Sequence, residues 1–396
     1  MGSNNSREGS FPARHLVAAA RAFRFVAVAA VFAVASNTAP ARDLPGLSYT
    51  NLRDPSVPLS IHVVRLALAE ARYRLRSLHA RDQAVGLDTL GDQVAFASPA
   101  SSPVVAAING DFYEREGRYA GAPRGLQIIE GELISGPSGE AGFWMDALGA
   151  PHAADIQPRF QLTWPDGATS SFQLNGPRAD DGIEVYSPAI GASTKTSGGR
   201  EVVLDGSGTG PWLPLRIGKT YKASVRESRD GGNTPLLSSI LILSLGPKAV
   251  ARAPTLRRGD VLEFSTGSEP SIRGIKTAIG GGPVLLRNGH RVSINVPESQ
   301  SYQVTTMHEG HPRSAIGWND KYLFFVEVDG RQRKLSEGMT LDELARFLLQ
   351  LGCTDAMNFD GGGSATLWFD GEVRNSPCDR MEREVANGLA IVMKKK

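Results

Sequence analysis

A chain of 396 residues with 41% hydrophobic and 21% charged content is ordinary globular material, with enough apolar residues for one large domain or two. Forty-three lysines and arginines stand against 41 aspartates and glutamates, and no basic run is interleaved with aromatics, so no strong field recruits nucleic acid as a partner. Forty-four glycines and 24 prolines, with Asp-Gly pairs at 166, 181, 205, 230, 329, 360 and 370, favour short strands joined by turns.

Residues 1–41 read as an export signal and short linker. Arg14, Arg21 and Arg24 precede an apolar run from Phe25 to Ala35, and small-x-small sites follow at 33–35 and 39–41. That run is too short to span a bilayer, so a secreted or periplasmic mature chain with no stable membrane insertion is expected. In an oxidising compartment a disulfide between Cys353 and Cys378 is expected, with two free thiols as the alternative.

Residues 42–99 form a β-rich lead-in, where IHVVRLAL at 61–68 and YRLRSL at 73–78 alternate as a hairpin or a neighbouring pair of strands. Val104 to Ile108 is a short apolar strand whose exit presents Asn109, Asp111, Phe112 and Tyr113. Arg124 follows, a cation for a phosphate or for solvent, and QIIEGELI reads as a hairpin about Glu130-Gly131. Residues 151–270 alternate short β-like runs with turns, a variable region without a repeat and without a legible function. TAIGGGPVLLRNG at 277–289 then sets a strand, a triple glycine and a strand, which places Gly281 and Gly282 on a candidate site loop.

Further on, His308, Glu309 and His311 share a Gly/Pro loop with no third histidine or cysteine near, so no metal is implied. Arg313 is the stronger candidate, because a guanidinium can grip a phosphate with two donors. Residues 322–328 read as a buried strand ending in Asp329-Gly330-Arg331, and Glu337-Gly338 opens a helix at 340–351. There Thr340 and Glu343 form a capping box, and Leu341, Leu344, Ala345, Leu348 and Leu349 keep helical spacing until Gly352. A short strand at 355–359 ends in Asp360, Gly361, Gly362, Gly363 and Ser364: a carboxylate, three residues without side chains and a hydroxyl on one loop. The β-prone ATLWF that follows excludes a nucleotide cradle, which needs a helix there, and Thr366 breaks the serine-hydrolase elbow.

Taken as a set and in order, NGDFY at 109–113, GGGPVLLRNG at 280–289, RSAIG at 313–317, DGR at 329–331, EGMTLDELA and NFDGGGSAT at 358–366 resemble the phosphodiester glycosidase family over residues 100–396. The resemblance implies an α+β fold, a single catalytic domain rich in antiparallel strands with a few helices. It implies a hydrolase that cleaves a sugar from a glycosyl-1-phosphodiester, such as an N-acetylglucosamine-1-phospho-linked glycan in cell-surface or exopolysaccharide material. No cofactor is expected. Breaking such a bond needs support for an oxocarbenium-like transition state and for a departing phosphate. Asp360 is the first choice for the carboxylate, Glu337 the second, and Asp111 a third that the family pattern does not fix. Arg313, with the Gly361 to Gly363 amides and the Ser364 hydroxyl, is expected to bind the phosphate, Asn109 to orient a sugar hydroxyl, and Gly281, Gly282 and Arg124 to be further substrate-binding residues. The alternatives are a non-catalytic sugar-phosphate binding protein and a metal-dependent phosphodiesterase.

Overall fold

Short β-prone runs punctuated by turn residues fold into four sheets in a computed structural model that describes residues 44–395, apart from 55–56, 209, 295–297 and 300. The expected export signal lies outside the described residues. A seven-stranded antiparallel sheet runs in the order Leu47–Asp54, Leu59–Ala67, Tyr322–Val328, Arg313–Trp318, Asp355–Asn358, Val284–Arg287, His290–Arg291. A five-stranded sheet joins Glu372–Val373, Leu367–Phe369, Val104–Asn109, Asn387–Met393 and Tyr73–His79. A second five-stranded sheet carries Glu132–Ser135, Gln127–Ile129, Thr277–Gly280, Ala141–Met145 and Pro151–Asp155. The remaining eight-stranded sheet is built wholly from strands between residues 157 and 269.

The α+β expectation is corrected to a mostly β architecture. Among the described residues, 25 strands stand against four α-helices, of which only Leu341–Gln350 reaches ten residues. Helices this few and short form no layer, so sheets cover one another. One face of the seven-stranded sheet, with Val64, Phe325, Ile316 and Met357, packs on Ile108, Leu389 and Leu367 of the first five-stranded sheet and Phe143 and Ile279 of the second. Its other face, with Val63, Val326 and Ala315, is where the helix lays Leu344, Ala345 and Leu348. That helix forms as its sequence dictates: Thr340 accepts from the Glu343 amide, the Glu343 carboxylate accepts from the Thr340 amide, and Gly352 follows at a φ of 86°. Such a cap contributes roughly 1 kcal/mol.

The strands at 59–67 and 73–79 are not neighbours. The first pairs with 47–54 and 322–328, the second with 387–393, so the polar turn between them crosses from one sheet to another. The hairpin at 127–135 forms as read, turning through Glu130 and Gly131 with φ of 49° and 88°. Among the described residues, no helix is long and apolar enough to cross a membrane.

Candidate active site

Two strands from different sheets end side by side and are stapled by one amide. Asn109, at the end of Val104–Asn109, donates from Nδ2 to the Asp360 carbonyl at 2.7 Å, and its Oδ1 accepts from the Ser314 hydroxyl at 2.6 Å and the Thr366 amide at 3.0 Å. The Asp360 amide returns a bond to the Gly110 carbonyl at 2.8 Å. Asn109 is buried and does not line the cavity, and these bonds give it a structural role at the sheet junction.

Asp360 opens into a cavity of about 440 Å³, and it is the only carboxylate among the cavity's lining residues. Five arginines, Arg115, Arg124, Arg313, Arg331 and Arg383, share the wall with it, together with His311 and Asn358. Burial raises the Asp360 carboxyl above its ordinary range, while Ser364, Arg115, Arg383 and the Gly361 amide pull it back. Burial, then Arg313 and Arg331, lower His311, so the imidazole is neutral at pH 7. Part of the lining is apolar: Phe112 meets Tyr302 edge-on with ring centroids 6.0 Å apart, and Met307 and Leu341 also line the cavity. A ligand with an anionic part and a flat or aliphatic part fits this division.

The glycine loop is shaped by arginines. A Cβ on Gly363 would stand 2.0 Å from an Arg383 nitrogen, and one on Gly362 would stand 3.2 Å from an Arg331 nitrogen. Absence of side chains at 362–363 thus admits two guanidinium groups to the loop. Arg383 is held by Asp379, whose Oδ2 accepts from its Nε at 3.0 Å and Nη2 at 2.6 Å. Arg331 sits at a left-handed φ of 58° and reaches His311 Nδ1 at 3.3 Å. Not all loop amides are available, since the Gly362 amide donates to the Pro312 carbonyl and the Ser364 amide to the Gly361 carbonyl. The Ser364 hydroxyl is buried beside the Asp360 carboxyl and lies outside the lining.

Several sequence expectations fall elsewhere. Arg313 lines the cavity, but its Nε donates to the Met339 carbonyl and its Nη2 to the Thr306 and Glu309 carbonyls, which makes it a clamp on the loop leading to the helix; burial lowers its pKa to about 10. Arg124 lines the cavity and pairs with Glu114 at 3.1 Å. Glu337 is exposed and outside the lining, because the chain turns at Gly338 before the helix begins. Asp111 is buried behind the wall: its Oδ2 accepts from the Gly125 amide at 2.7 Å, its Oδ1 has no partner, and burial pushes its pKa up to about 8. Neither acid is among the residues that line the cavity. Gly281 is not in the lining, and the Gly282 amide is engaged by the Asn358 carbonyl at 2.6 Å. The expected disulfide is absent: Cys353 is packed in the core beneath the helix, Cys378 lies next to Asp379 in a partly exposed loop, and both thiols are free.

Sequence reasoning missed Arg115, Arg383, Tyr302 and Asn358 and left Arg331 without a role. Asn358 preceded the glycine loop in plain view, and its Oδ1 is buried without a partner on the cavity wall.

Residues 222–392 match the family model described as phosphodiester glycosidase. An uncharacterized SPbeta prophage-derived protein of Bacillus subtilis (strain 168) is 38% identical over 119 residues, covering 27% of this chain and 18% of that one. N-acetylglucosamine-1-phosphodiester alpha-N-acetylglucosaminidase of Bos taurus is 34% identical over 109 residues, covering 25% of this chain and 20% of that one. The alignments thus span a fifth or less of these curated relatives. A hypothetical protein from Synechocystis has the same fold, with a TM-score of 0.68 at 21% identity over 88% of this chain and 62% of that chain.

Proposed function

We propose, from the match of residues 222–392 to the phosphodiester glycosidase family model, that the chain is an exported hydrolase that splits a glycosyl-1-phosphodiester at the bond between the anomeric carbon and oxygen. Water supplies the hydroxyl of the free sugar, and the phosphate leaves as a monoester on its remaining alcohol. The observation that carries this reading is a single buried carboxyl, Asp360, facing five arginines across one cavity. A phosphate monoester is a good leaving group once its charge is supported, so one carboxylate suffices where ordinary glycosidases use a pair.

In this reading Arg331 and Arg383, drawn in by the side-chain-free loop, hold the phosphate, and Arg115 adds to the field. Asp360 acts at the anomeric carbon or on the water that attacks it. The Phe112–Tyr302 wall takes the sugar or the aglycone. An N-acetylglucosamine substrate is supported by the activity in the name of the bovine relative, and a glycan outside the cell by the export signal read at 1–41.

Product identity tests the proposal. Purified protein incubated with an alkyl N-acetylglucosamine-1-phosphodiester should release free sugar and an alkyl phosphate. Sugar 1-phosphate with free alcohol would mean cleavage on the phosphate side. Saturable binding with no product would leave a sugar-phosphate binding protein.

A further inference from the structure

Outside the cavity, His62, Glu327 and Asp329 converge in the interior. His62 and Glu327 are cross-strand partners in the seven-stranded sheet, and Asp329, two residues along, falls on the same face. Their exposures are 3%, 0% and 1%, and one ligating atom from each lies within 4.8 Å of the others. His62 Nε2 stands 3.0 Å from Asp329 Oδ2. The outer oxygens are engaged: Asp329 Oδ1 accepts from the Ser376 amide at 2.7 Å, and Glu327 Oε1 from Asn375 Nδ2 at 3.1 Å. Glu327 Oε2 alone is buried with no partner, either as acceptor or, if protonated, as donor. An orphan of this kind in a fully buried carboxyl beside a second acid is unfavourable unless something else meets it.

We propose that His62, Glu327 and Asp329 bind a divalent transition cation, zinc first and manganese second. One imidazole nitrogen with two carboxylates is the donor set these ions take, and three protein ligands leave room for a further oxygen. Ser60 Oγ, 3.3 Å from His62 Nε2, is within reach of that place. The imidazole is already oriented from behind, its Nδ1 lying 2.7 Å from the Tyr49 hydroxyl; donation there leaves the Nε2 lone pair for the ion.

The ion would tie the strands at 59–67 and 322–328 to the segment at 375–376. None of its ligands lines the cavity, so it takes no part in bond cleavage. It sits instead two residues before Arg331, at the base of the turn that presents this guanidinium.

Metal content decides the question, on full-length exported protein purified without chelator, loaded with zinc or manganese chloride and desalted. Wild type should retain about one ion per chain and Glu327→Gln about tenfold less. Chelation should lower the melting temperature of wild type, zinc should restore it, and the variant should respond to neither. Wild type retaining under about a tenth of an ion, or metal undiminished in both Glu327→Gln and His62→Gln, would overturn the site. If the variants do not fold, anomalous diffraction at the zinc edge of loaded wild-type crystals decides instead: a peak among the three side chains supports the site, and none there refutes it.

Discussion

The chain contains two strand–triple-glycine–strand segments, at 280–282 and 361–363, each set against a buried aspartate, and they do opposite work. At the first, a Cβ on Gly280 would stand 2.4 Å from Asp111 Oδ2 and 2.6 Å from its Cγ, so the missing side chain lets the backbone close over the carboxyl and seal it from the cavity. At the second, the missing side chains admit Arg331 and Arg383, and the carboxyl at the head of the loop, Asp360, faces the cavity. Both carboxyls are raised by burial, but only Asp360 has arginines pulling it back. A glycine run therefore says only that something approaches the backbone closely. Whether the visitor is an acid or a base separates the packing loop from the site.

The sharpest way to break this comparison is to remove the charge from each aspartate. Asp360→Asn should lower turnover by roughly a hundredfold or more with substrate affinity nearly intact, as for a group needed mainly in the transition state. Asp111→Asn should leave turnover within about a factor of three, because the amide reproduces a neutral acid that touches no ligand. Equal losses in the two variants would erase the distinction. In wild type, activity should fall as pH drops through the raised Asp360 pKa, an acid limb lying above the ordinary carboxylate range and absent from the residual activity of Asp360→Asn.

A second contrast separates the two kinds of arginine. Arg331→Ala should raise KM by roughly tenfold to a hundredfold while the melting temperature holds, since this exposed side chain is tethered within the protein only by long contacts of 3.3–3.4 Å to the His311 ring and by the neighbouring Cys378 thiol. Arg313→Ala should instead destabilise the fold by on the order of 3 kcal/mol, leaving three backbone carbonyls without their donor. Denaturant melts of both variants beside their kinetics decide which residue is the ligand.

The glycines themselves give the next test. A methyl at Gly363 displaces the far end of Arg383, a flexible side chain, so Gly363→Ala should fold and raise KM by roughly tenfold. At Gly280 the methyl meets a buried carboxyl that cannot withdraw, so Gly280→Ala should cost about 1–3 kcal/mol of stability with KM unchanged in the folded fraction.

What was legible in the sequence was local. The capping box of Thr340 and Glu343, the turn at Glu130-Gly131 and the buried strand at 322–328 each declare themselves within a few residues. Pairing is not local: 73–79 finds its partner at 387–393, and nothing in either run names the other. The α+β expectation came with the family resemblance; the helix read at 340–351 is real, but one ten-residue helix makes no layer. In the site, the loop at 360–364 was visible through its composition, whereas an arginine in a loop reads the same whether it meets solvent or a cavity, which hid Arg115 and Arg383. Asn109 and Asp111 misled for the converse reason. A polar side chain at a strand exit suggests presentation to a ligand, yet here a second strand end and Gly125 had already taken them.

The effect most specific to the sealed loop is in the pH dependence of stability. Asp111 has a folded pKa of about 8 against an unfolded value near that of a free aspartate, about 4. Because the folded value is the higher, the folded state binds the proton more tightly: the group's contribution is complete below about pH 4 and is lost as pH rises to about 8, above which it is constant. Asparagine cannot titrate, so this loss disappears in Asp111→Asn. The melting temperature of the variant minus that of wild type should grow steadily between about pH 5 and 8 and then level. Taking the difference cancels titrating groups common to both proteins, including His79, whose depressed pKa of about 4 acts in the opposite sense below pH 6.5. A difference that stays flat across this range would mean that Asp111 ionises freely in the folded protein, and with it the claim that Gly280 closes over a neutral acid would fall.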